Sequence, residues 1–195
     1  MNYLAHLHLS GRQAELMVGN FIGDFVRGRD MPLFSEQVVR GIHLHRQIDQ
    51  FTDTHPVVKK SVARLAPTYQ RYATVIVDIY YDHFLAIHWP KYAQETLPEF
   101  AQNTYTILKT YESQLPERVQ QMLPHMIQNN WLVNYAELWA IDRALKRMAT
   151  RAKYNPGIEN ALHDLEQGFA AFEEDFLAFF PDLQAFVHQY IEQEG

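Results

Sequence analysis

The stretch VDIYYDHFLAIHW, residues 77–89, decides the fold. Val75, Ile76, Val77, Ile79, Tyr80, Tyr81, Phe84, Leu85 and Ile87 give it apolar side chains on most faces, which predicts a largely buried central helix. Asp78 and Asp82 stand four residues apart and share a face of that helix, with His83 adjoining. Two carboxylates on one buried face repel each other unless a cation or a proton lies between them. The alternative is that arginines from neighbouring helices pair with them.

Outward from this segment, helical spacing dominates. Ala14 to Val26 places Leu16, Val18, Phe21, Ile22, Phe25 and Val26 near period 3.6. Ser35 reads as the N-cap of a helix reaching Phe51. Thr54 then caps a new helix, with Pro56 in its first turn, ending near Pro67. Residues 68–88, 91–112, 116–128, 130–150 and 157–193 also read as helical, with breaks near Pro90, Pro116, Asn129, Asn155-Pro156 and Pro181. The expectation is a single all-α domain over residues 1–195, a multi-helix bundle.

Composition narrows the chemistry. Cysteine is absent, which excludes disulfides, thiolate metal sites and cysteine nucleophiles. Any metal must be held by His, Asp, Glu or Asn, which favours Mn, Mg, Fe or Zn at an open catalytic site. No run of 18 apolar residues predicts a membrane span. The opening MNYLAHLHLS has no basic n-region, so no signal peptide is expected and the cytoplasm is the default location. H-E-x-x-H, P-loop, G-x-S-x-G and G-x-G-x-x-G patterns are all missing.

Seven of the ten histidines fall in the first 88 residues. In GNFIGDFVRG, residues 19–28, Asn20 and Asp24 share a face among apolar neighbours, and Gly19 and Gly23 permit a close approach. A buried carboxylate there needs a partner, and Arg27 is the simplest one. In GIHLHRQIDQFTD, residues 41–53, His45 and Asp49 are i,i+4, within reach of one ion. Arg46 beside them offers a planar fork to phosphate oxygens. His43 lies on another face and reads as a packing residue. Asp53 is undecided between this helix and the cap of the next. Residues 27–71 carry a net +4 and residues 150–195 a net -7 in a chain of net charge -6. The basic segment suits an acidic partner or a phosphate, the alternative being a mixed solvated surface.

These motifs carry a resemblance. NYLAHLHL (2–9), GNFIGDFVRG (19–28), VVRGIHLHRQIDQFTD (38–53), DIYYDHFLAIHW (78–89) and, more weakly, NWLVNYAELWAIDRALKRMATR (130–151) resemble acyl carrier protein phosphodiesterases, divergent HD-type metal-dependent phosphohydrolases. The resemblance implies an HD-like helical fold and hydrolysis of the phosphodiester joining 4'-phosphopantetheine to a serine of acyl carrier protein. It implies a divalent cation, Mn²⁺ before Mg²⁺ or Fe²⁺, and acyl carrier protein as the partner, with no nucleic-acid or membrane partner. Asp24, His45, Asp49, Asp78, Asp82 and His83 are carried over as candidate ligands, although the adjacent pair Asp82-His83 reverses the usual His-Asp order. Asp24, Asp49 and Asp82 are the candidate catalytic carboxylates, and Arg46 or Arg27 would stabilise phosphoryl charge. Arg27, Arg29, Arg40, Lys59, Lys60 and Arg64 would steer the acidic partner. Two other readings share the same residues. One is an HD-type phosphohydrolase of nucleotides or other small phosphoesters. The other is a non-catalytic helical module with internal salt bridges.

Overall fold

The computed structural model describes residues 1–194, and the described residues hold ten α-helices and no strand. They are α1 (Tyr3–Leu9), α2 (Ala14–Ile22), α3 (Glu36–Thr54), α4 (Pro56–Tyr69), α5 (Ala73–Ile87), α6 (Leu97–Thr110), α7 (Glu117–Gln128), α8 (Trp131–Asn134), α9 (Leu138–Arg151) and α10 (Ala161–Glu194). The all-α expectation holds. No helix of the described residues is long and apolar enough to cross a membrane.

α5 is the central helix the sequence predicts. Ile76, Val77, Tyr80, Tyr81, Phe84 and Leu85 are wholly buried along it. α10 lays an aromatic stripe against it, with Tyr80 and Phe172 rings 5.2 Å apart and Tyr81 and Phe176 rings 5.6 Å apart. Each such side chain contributes roughly 1.5–3 kcal/mol through burial. Ser61 on α4 donates to Asp175 on α10 at 2.8 Å and meets the Tyr81 hydroxyl at 3.0 Å, tying three helices together.

Several boundaries differ from expectation. Ser35 caps α3 by accepting from the Val38 amide, as read from the sequence. Thr54, however, stays inside α3, and it is His55 whose ring accepts from the Val57 amide to cap α4. α10 runs through Pro181 without stopping. A proline removes one intrahelical bond, and the buried Phe179, Phe180 and Leu183 around it hold the helix in place. α1 was not foreseen. Asn2 caps it, and Asp82 of α5 receives the amides of Asn2 at 3.1 Å and Leu4 at 2.7 Å.

The contact between α2 and α3 positions the site. Gly19 and Gly41 face each other there. A Cβ on Gly19 would lie 2.0 Å from the Val38 carbonyl oxygen, and one on Gly41 would lie 2.2 Å from the Leu16 carbonyl oxygen. Only glycine permits backbones this near.

Candidate metal centre

Three short segments bring their polar groups to one point. α1 supplies His6, the 3₁₀ turn Gly23–Phe25 supplies Asp24, and α3 supplies His45 and Asp49. Ligand atoms of His6, His45 and Asp49 all lie within 4.8 Å of one another. His6 Nε2 is 3.1 Å from Asp49 Oδ1, and His45 Nε2 is 3.1 Å from Asp49 Oδ2 and 3.3 Å from Asp24 Oδ1. The two imidazoles stack with centroids 4.0 Å apart. They are buried, whereas the Asp24 side chain is 73% exposed and Asp49 38%, so the cluster opens to solvent on its carboxylate side.

One residue orients both rings. Asn20 is fully buried and directs its amide nitrogen to the His6 carbonyl at 2.7 Å and to Ser10 Oγ at 2.9 Å. Its Oδ1 therefore faces His6 Nδ1, at 2.8 Å, and its backbone carbonyl takes His45 Nδ1, also at 2.8 Å. Both rings thus carry a proton on Nδ1 and turn Nε2 toward the carboxylates. His45 Nε2 is buried with no well-aligned hydrogen-bond partner, although carboxylate oxygens crowd it. Gly23 makes room for this ring, since a Cβ there would lie 2.3 Å from His45 Cγ.

The electrostatics follow from this crowding. Burial works against a charged His45, but Asp24 and Asp49 outweigh it and raise its pKa to about 9. Burial also opposes the charge on Asp49, yet His45 and His6 hold its carboxyl well below the usual range. Burial keeps His6 below its ordinary value. Nε2 lone pairs facing two carboxylates call for positive charge between them. A divalent cation fits this donor set of two imidazoles and two carboxylates, with the second hydrogen bond of each ring in place.

The other expected residues are placed differently. Asp24 reaches His45 rather than Arg27, which is exposed. Asp78 borders the cluster through the Met1 ammonium, which lies 2.9 Å from Asp78 Oδ1 and 3.8 Å from Asp49 Oδ1. Asp82 turns away, onto the amides that begin α1, and burial pushes its pKa up to about 7. His83 Nδ1 donates to the Tyr135 carbonyl, 2.8 Å away, outside the cluster. Neither joins the other candidates, because α5 spends both on holding its neighbours. His43 is exposed rather than packed, and Asp53 lies in the last turn of α3 outside the cluster, also exposed. Arg46 is exposed and donates to the Val26 carbonyl at 3.2 Å, just beyond the Asp24 turn.

The six expected docking cations do not act alike. Arg64 pairs with Asp175 and lies over the Phe172 ring, so its charge is committed within the fold. Arg29 lies 3.5 Å from Asp30. Arg40 bonds Gln37 and lines a separate hollow with His43 and Tyr190. Arg27, Lys59 and Lys60 are exposed.

His6 is the residue sequence reasoning missed. It stands in a helix of seven residues, too short for a clear period, and its signal was the apolar Leu4, Ala5, Leu7 and Leu9 around it.

Residues 1–183 match the family model described as acyl carrier protein phosphodiesterase. Curated relatives of that name are 36% identical in Photorhabdus laumondii, over 93% of this chain and 92% of the relative, and 34% identical in Yersinia enterocolitica, over 95% and 96%. One in Escherichia coli O157:H7 is 33% identical over 95% of this chain and 96% of the relative. No solved structure matches. A family match across nearly the whole chain, and relatives covered almost end to end, place the chain in the acyl carrier protein phosphodiesterase family.

Proposed function

We propose that this chain acts as one catalytic unit that hydrolyses the phosphodiester between 4'-phosphopantetheine and a serine of acyl carrier protein. The observation carrying the metal-dependent form of this reading is the convergence of His6, His45, Asp49 and Asp24 at one solvent-facing point. The names of the relatives support the substrate.

A bound divalent cation, Mn²⁺ in this reading, supplies Lewis acidity toward water and phosphoryl oxygen. His6, His45 and Asp49 would hold it, and Asn20 fixes both rings so that little reorganisation would accompany binding. Asp24 is the most exposed of the four and stands on the open side, where it orients the attacking water and receives its proton. Water oxygen bonds to phosphorus as the phosphorus–serine oxygen bond breaks, and a proton goes to the serine oxygen. The products are a phosphate monoester and a free serine. Arg46, held beside the Asp24 turn, offsets phosphoryl charge.

The test is incubation with holo-acyl carrier protein and Mn²⁺, reading the carrier's mass. Loss of the phosphopantetheine mass is expected for the wild type and not for His6→Ala or His45→Ala. Undiminished turnover in both variants would reject the site.

A further inference from the structure

A cleft of about 310 Å³ opens between α1, α5 and α9, and nothing in the reaction described above uses it. Its lining includes Trp131, Trp139, Arg143, Arg147 and Arg151, and it contains no aspartate or glutamate. In a chain of net charge -6 this is an unusual concentration of one sign. The three arginines fall at i, i+4 and i+8 on α9, so they form one stripe. Among the described residues none of them enters an ion pair, and Arg147 lies over the Trp131 ring at 5.5 Å. Like charges spaced this way disfavour the isolated helix. Trp139 and Val75, both at this cleft, are 54% and 44% exposed.

Helix α1 contributes to both the cleft and the cluster. Tyr3 lines the cleft and stands one turn before His6 on α1. Burial raises its phenol's pKa, and the charges of Asp24, Arg118 and Arg151 also act on it. Ile79, also in the lining, follows Asp78 on α5. A ligand seated in the cleft therefore touches two helices that also contribute to or border the cluster.

We propose that this cleft is the docking surface for the acidic, amphipathic helix of the carrier protein. The helix's apolar side chains cover Trp139 and Val75, and its carboxylates meet Arg143, Arg147 and Arg151. The proposal rests on acyl carrier protein being the substrate. It moves docking away from residues 27–71, where the sequence pointed, to α9.

The test compares Arg143→Glu/Arg151→Glu with Lys91→Glu/Lys109→Glu, a control of equal charge change at exposed positions outside the cleft. Circular dichroism confirms the fold, and Mn²⁺ calorimetry confirms the metal site. The arginine variant is expected to raise KM for holo-acyl carrier protein about tenfold or more, roughly 1.4 kcal/mol. Its kcat should stay within about twofold of wild type and its salt dependence should flatten. The control should match wild type. An unchanged KM overturns the proposal, as does an equal rise in the control. A fall in kcat at constant KM also overturns it, because the arginines would then serve the phosphate itself. Binding of apo-acyl carrier protein, followed by fluorescence anisotropy, separates this from the reaction. If the wild type fails to turn over holo carrier, the proposed reaction falls. Weaker apo-carrier binding in the arginine variant would still support docking, and unchanged or absent binding would overturn it.

Discussion

Gly41→Ala is the most direct probe of how the α2–α3 contact builds the metal centre. The new methyl would sit 2.2 Å from the Leu16 carbonyl oxygen and 2.8 Å from the Asn20 nitrogen. A comfortable carbon–oxygen contact is about 3.3 Å, so the helices must part by about 1 Å. Parting stretches the bond from His45 Nδ1 to the Asn20 carbonyl, now 2.8 Å, to about 3.8 Å, beyond hydrogen-bonding range. Overpacking costs about 1–3 kcal/mol and the unmade buried bond about 1–3 more. The better helix propensity of alanine returns about 1 kcal/mol. The net is about 1–5 kcal/mol of destabilisation. At this chain length each kcal/mol moves the melting temperature by about 2–4 °C, giving a fall of roughly 2–20 °C. Mn²⁺ affinity should drop by about 10–100-fold, as for loss of a ligand's supporting hydrogen bond. Thermal melts and calorimetry measure both. A variant that melts at or above wild type and binds Mn²⁺ unchanged refutes the account of the contact.

Other perturbations separate ligands from supports. Asn20→Leu should lose about 10–100-fold in Mn²⁺ affinity by calorimetry, because the His6 ring loses its Nδ1 acceptor, while the backbone carbonyl that takes His45 Nδ1 remains. Asp82→Asn should cost about 1–3 kcal/mol in a guanidinium titration, since its NH₂ would meet an α1 amide donor head-on. Burial raises the Asp82 pKa from 3.8 to about 7, so the native state favours its protonated form. That stability is full below the lower value and is lost as pH climbs through the upper one, and Asp82→Asn should flatten this slope across that window. Mn²⁺ at a hundred times its Kd should add about 2.7 kcal/mol of stability, reversed by chelator and absent in Asp49→Ala.

Much of the architecture was legible because it rests on local rules. Ser35 announces α3, and the apolar run around Asp78 announces a buried helix. The i,i+4 pair His45 and Asp49 is local, and Asp24 lies 3.3 Å from His45 Nε2. Asp78 and Asp82, four residues apart on one helix, each meet positive charge. The charge comes from different sources, namely the Met1 ammonium for Asp78 and the amide end of α1 for Asp82. Neither source is visible in residue spacing, because both arise from a tertiary contact across about eighty residues. The same contact hides His6, whose helix is too short to declare itself and is held by α5. The arginine stripe was legible in principle, at R-x₃-R-x₃-R. It was passed over because the chain's basic excess lies elsewhere and only the fold shows which face is uncovered.

Asn20 serves two histidines from one residue, through its side chain and its carbonyl. Their orientations therefore have a common reference. When α1 and α3 breathe, each ring tracks the same point on α2, so the motions of the two Nε2 atoms are correlated and their separation varies less than that of either helix. A pair of ligands referenced to separate elements would add their fluctuations. Here part of the jitter cancels, and the spacing between the two imidazoles is kept by a single amino acid.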